Sequence, residues 1–163
     1  MSVLELCQWL QDGSISTAIR ESTAFWPVLE GSHLLGMALM MAPVMMYDFR
    51  LIGVRWKGDP VSKVKWSFLP ITFFGFALMV STGLLLFWSE PVKCYKSGYF
   101  RIKVVALILA GLNALVFHST IDRSAAQWDT SLPPPFRARL TGILSLTLWT
   151  AVIFAGRYTA YNL

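Results

Sequence analysis

Four stretches of this chain are so long and so apolar that they leave little choice of fold. They cover residues 24–47, 66–88, 99–120 and 140–161. Crossing about 30 Å of hydrocarbon takes roughly 20 apolar residues in a helix. In lipid every backbone N–H and C=O must be satisfied inside the protein, so runs of this kind form helices. The expected fold class is therefore all-α: an integral membrane four-helix bundle forming a single domain over residues 1–163. Trp26, Trp66, Trp88 and Tyr161 fall at the span ends, where interfacial aromatics belong. Pro43 and Pro70 lie inside the first two spans, where proline kinks a helix. Ahead of the first span, residues 3–11 place Val3, Leu6, Cys7 and Leu10 on one helical face, with Glu5 and Gln8 elsewhere. This is the pattern of a short amphipathic helix lying on the bilayer surface.

Composition agrees. Of 163 residues, 55% are hydrophobic and only 14% charged, against about a quarter charged in soluble domains. The net charge of +5 is carried between apolar runs rather than on one face, so no nucleic-acid partner is expected. Those charges instead report topology. Arg50, Arg55, Lys57, Lys63, Lys65, Arg123, Arg137 and Arg139 fall on one side of the spans, and Arg20, Lys93, Lys96, Arg101, Lys103 and Arg157 on the other. The excess favours both termini outside, which in a bacterial inner membrane is the periplasm. Residues 1–23 have no basic start followed by an apolar stretch, so the first span is expected to direct insertion itself. Cys7 and Cys94 would both face the oxidising side, either as a disulfide or as two free thiols.

Ionisable residues within spans are costly and so are candidates for function. Glu30 and His33 lie in the first span, with His33 about 13 Å deep at about 1.5 Å per residue. Asp48 and Arg50 follow its far end. Lys103, Asn113 and His118 belong to the third span, and Arg157 to the last turns of the fourth. Imidazole is a common axial ligand of haem, and Arg or Lys at the membrane boundary can neutralise its propionates. On this reading His33 and His118 are the ligands and Lys103 and Arg157 the propionate contacts. His118 lies about 28 Å from the side that His33 enters, so the two do not share a depth. Met79 does lie at His33's depth and offers a His–Met pair. Two haems, or ligands shared across a homodimer, are further arrangements. Copper is the alternative cargo, with Met37, Met40, Met41, Met45 and Met46 as soft thioether donors. A third alternative commits every polar residue to helix contacts in a structural subunit. The chain has no phosphate loop, dinucleotide fingerprint, CxxC or HExxH.

The segments "WPVLEGSHLLGMAL", "YDFRLIG", "STGLLLFWSEP", "YFRIKV" and "GLNALVFH" resemble those of a family of small bacterial membrane proteins of undefined function. That family is distantly similar to the CopD-type copper-resistance and cytochrome b561-like four-helix proteins. The matching positions are Glu30, His33, Asp48, Arg50, Lys103, Asn113 and His118. The resemblance implies a redox or metal-linked membrane role. The expected function is a b-type haem-binding electron-transfer or anchor subunit in the lipid bilayer, between quinone and a periplasmic partner or larger complex. The alternative is a metal-handling permease-like protein.

Overall fold

A computed structural model describes residues 2–161, and among these there is helix but no strand. Four long helices dominate: α3 (Phe25–Ile52), α4 (Val61–Ser89), α6 (Gly98–Val116) and α8 (Phe136–Tyr161). The short helices are α1 (Val3–Gln11), α2 (Ser14–Glu21), α5 (Pro91–Lys96) and α7 (Ala125–Trp128). Helix α6 runs on through a π-helical turn, Phe117–Ile121. Each of the four stretches is long and apolar enough to cross a membrane. Four crossings put both termini at one end of the bundle, here the terminal end; the loops 53–60 and 121–135 make the distal end.

The spans pack in the order α4, α3, α8, α6, so α3 touches two others and is the spine. Glycine sets the closest approach. A Cβ on Gly75 would lie 2.5 Å from the Met40 amide nitrogen, and one on Gly36 2.7 Å from that of Met79. No side chain fits there, so α3 and α4 meet backbone to backbone, where dispersion and Cα–H···O contacts replace a hydrophobic drive that lipid does not supply. Pro43 and Pro70 both sit inside unbroken helices. Outward-facing side chains such as Phe73, Phe74 and Leu115 are more than 60% exposed, as lipid-facing residues must be.

The helices extend past their apolar stretches because specific groups close their ends. α3 stops at Gly53, whose φ of 84° is easy only for glycine. Its N–H meets the Arg50 carbonyl, and the Val54 N–H meets that of Phe49. α4 starts early because Asp129, from the far side of α6, caps it: the carboxylate accepts from Ser62 N and Ser62 Oγ, each at 2.7 Å. The C-terminus of α4 is closed by α2. The fully buried Ser16 donates to the carbonyls of Trp88 and Ser89, and the Arg20 guanidinium donates to that of Ser89, a cation where the helix dipole is negative.

At the terminal end α1 is opened by a capping box between Ser2 and Glu5 and packs on α5. Cys7 is its one buried residue, while Val3 and Trp9 stay exposed. Cys7 and Cys94 are both free thiols. A compact apolar cluster of Leu51, Val61, Phe117, Trp128 and Ala138 seals the distal end.

Candidate functional site

The intramembrane polar residues sort into two groups at opposite ends. The first is built on His33. Its Nδ1 lies 3.0 Å from the Met79 carbonyl and 3.1 Å from Thr82 Oγ1. A carbonyl only accepts, so Nδ1 carries the proton and donates, and Nε2 is left with a free lone pair. Thr82 in turn donates to the Leu78 carbonyl at 2.6 Å. The ring can pack this close to α4 because residue 83 is glycine: a Cβ there would lie 3.0 Å from His33 Cε1. Fixing a ring through a backbone carbonyl at Nδ1 is how proteins orient a histidine that ligates through Nε2.

Lys103 lies half-buried in the same half of the bundle, with its Nζ against the bare face of α8 at Gly156. It makes no salt bridge among the described residues. Arg157 is exposed, donates to Tyr161 Oη and covers that ring at 4.6 Å. Glu30 is exposed and pairs with neither base. Met79 meets His33 through its carbonyl.

The second group gathers at the distal end. Arg50 is fully buried, its Nε donating to the Asp59 carbonyl at 2.8 Å and its Nη2 to the Asp129 carbonyl at 3.0 Å. It ties the 53–60 loop to the α7–α8 connection. Asp48, 4% exposed, turns toward α8, where Ser145 stands beside its carboxyl. Asn113 donates to the Thr141 carbonyl and holds α6 to α8. His118 is exposed, and its Nδ1 lies 3.2 Å from the Asp122 carboxylate, which also holds Lys65. His33 and His118 thus lie at opposite ends and share no site. Among the described residues no three His, Cys, Asp or Glu side chains gather as a metal cluster. Two clefts of about 420 and 210 Å³ flank the second half of α3, between Met46 and Trp56 and between Ala38 and Ile71, and neither touches His33.

Sequence patterns do not single out Tyr47, Thr82, Gly83 or Asp129. Thr82 and Gly83 lie in "STGLLLF", a small-residue run that signals close helix contact but not the histidine it receives. Asp129 meets Ser62 across 67 positions, and no local pattern signals such a pairing.

The fold and its polar groups define a multi-pass helical membrane protein. No family model, no curated protein and no solved structure matches the chain.

Proposed function

We propose that this protein is an electron-transfer or anchor subunit of a bacterial inner-membrane assembly, with b-type haem held through His33 Nε2. The observation that carries the reading is the 3.0 Å contact of His33 Nδ1 with the Met79 carbonyl: a carbonyl only accepts, so in the neutral ring Nδ1 holds the proton and Nε2 is the free nitrogen. Haem, when bound, supplies reversible one-electron chemistry. The chain supplies the rest. Met79 and Thr82 orient the imidazole, Gly83 gives it room, and Lys103 and Arg157 add positive charge at the end His33 occupies, where carboxylates of a cofactor or of a redox partner would be neutralised. His118, paired with Asp122 at the far end, is outside this site. Any further ligand would have to come from another chain, because Met79 meets the Nδ1 edge of the ring through its carbonyl, and the loop charges favour both termini in the periplasm.

The test is an oxidised and dithionite-reduced absorption spectrum of the detergent-purified protein, expressed with ample haem. A Soret band with sharp reduced bands, lost or displaced in His33→Ala and kept in His118→Ala, is the expected result. A featureless spectrum from folded protein would remove the assignment. A purely structural subunit is the second reading, favoured by Asn113 and Arg50, whose side chains hold one element to another through backbone carbonyls. It predicts stable co-purifying membrane partners and no chromophore.

A further inference from the structure

Ala38, Ala42, Met46 and Phe49 follow one another at intervals of four, four and three residues, so they form one stripe along the distal half of α3. The stripe lines the two clefts on that helix. Ala38, Ala42 and Met46 border the smaller, of about 210 Å³, and Met46 and Phe49 the larger, of about 420 Å³. Met46 belongs to both, which joins them into one groove. Across the smaller cleft stand Phe68 and Ile71 of α4, and the alanine methyl groups are too short to fill the space between. Ala38, Ala42 and Ile71 are exposed, so the groove opens sideways, toward lipid. From Phe49 to Ala38 it covers about 16 Å of helical rise, close to half of a hydrocarbon core about 30 Å thick. That is the depth of one leaflet.

The groove ends in the 53–60 loop, at Val54, Arg55 and Trp56. Tryptophan suits a membrane boundary, and Trp56 is held there at a φ of 51°, which a bulky residue rarely adopts. The one acid of this loop, Asp59, is engaged by Lys63 at 2.8 Å. Arg55 and Lys57 are exposed and make no salt bridge among the described residues. An apolar groove one leaflet deep, with two unpaired cations at its mouth, fits an amphiphile with an anionic head and a long apolar tail. A neutral quinone would leave both cations unanswered.

We propose that this groove binds one anionic phospholipid of the distal leaflet, its phosphate on the Arg55 guanidinium and an acyl chain laid along Ala42 and Ala38. Guanidinium groups take phosphate through paired hydrogen bonds, and basic sites at the ends of membrane helices recognise such headgroups. The distal side also carries the larger share of Lys and Arg, eight against six. The bound chain would fill a furrow that no side chain occupies and so brace α3 against α4. Neither cleft touches His33, so occupancy of the groove does not depend on haem.

The experiment is native mass spectrometry of the full chain in detergent, titrated with phosphatidylglycerol and with phosphatidylcholine of the same acyl chains. One retained phosphatidylglycerol, bound more tightly than phosphatidylcholine, is the expected result. Arg55→Ala should weaken phosphatidylglycerol by about fivefold, the usual share of one basic residue at an anionic surface. Ala42→Phe fills the groove from an exposed position and should reduce retention of both lipids, and Ala38→Phe should do the same from the deeper end. Lys96→Ala, at the terminal end, should change nothing. Equal retention of the two lipids would overturn the proposal. A loss in Arg55→Ala that neither phenylalanine variant shares would also overturn it, because surface charge alone would then hold the lipid. Displacement of phosphatidylglycerol by equimolar decylubiquinone, with or without Arg55, would assign the groove to a quinone instead.

Discussion

At the scale of single residues, the structure turns two short-range facts into constraints. The first is that His33 and Gly83 are matched: the ring occupies the volume a side chain at 83 would need. Gly83→Val should therefore displace the imidazole, break its bond to the Met79 carbonyl and cost about 1–3 kcal/mol as an overpacked contact. Thermal unfolding in detergent measures this, and an unchanged midpoint would mean the ring yields freely. The second is that Asp129 caps a helix to which it does not belong. Asp129→Ala strips the acceptor from Ser62 N and Oγ and should cost about 0.5–2 kcal/mol, with Asp129→Asn milder because it keeps an acceptor. Equal losses in the two variants would show that charge, rather than the hydrogen bond, is what matters.

At the scale of elements, the α3–α4 pair is fixed by two glycines and little else could replace them. A leucine at position 75 must push through the backbone of α3 at Met40. Gly75→Leu is expected to separate the helices and abolish monodisperse protein in detergent size-exclusion chromatography. Gly31→Leu, on the same α3 but with open space around the added Cβ, should leave the elution profile unchanged. If both behaved alike, the close crossing would not be the contact that holds the pair. Helix existence was legible from hydropathy because lipid allows an apolar run of this length no other form. Helix ends were not. α3 reaches Ile52 and α4 starts at Val61, beyond the apolar stretches 24–47 and 66–88, because Gly53 and Asp129 close those ends and hydropathy does not report caps. Helix α2 was invisible for a related reason: "SISTAIRE" is too polar and too short to announce itself, and it is held by Ser16 and Arg20 bonding α4.

At the scale of the whole molecule, the terminal end carries a titratable thiol with a readable signature. Burial, reinforced by the Glu90 charge, pushes Cys94 from 9.0 up to about 11, against the opposing effect of Lys103 and Lys93. Its alkylation should be slow at neutral pH and rise about tenfold per pH unit until the thiol ionises. The folded state holds the proton more tightly than the unfolded one. This burial therefore carries no penalty below pH 9.0, and stability falls as pH rises from 9.0 toward about 11. The parent should lose thermal stability across that window and Cys94→Ser should lose less; identical pH profiles would show that the thiol is not responsible.

The sequence by itself determined that this is a helical membrane protein with four crossings, and it named His33, Asp48, Arg50, Lys103 and His118 as the costly residues to explain. Those conclusions rest on solvation, which acts on each residue according to its own chemistry and so can be read position by position. Only the tertiary structure decided which of them meet. It separates His33 from His118, gives His33 its carbonyl partner on α4, keeps Glu30 apart from Lys103 and Arg157, and ties the buried Arg50 to the carbonyls of Asp59 and Asp129. Hydrogen bonds between helices depend on rotation and depth, to within about an ångström. Those are set by packing at positions such as Gly36, Gly75 and Gly83, far along the chain from the groups they bring together.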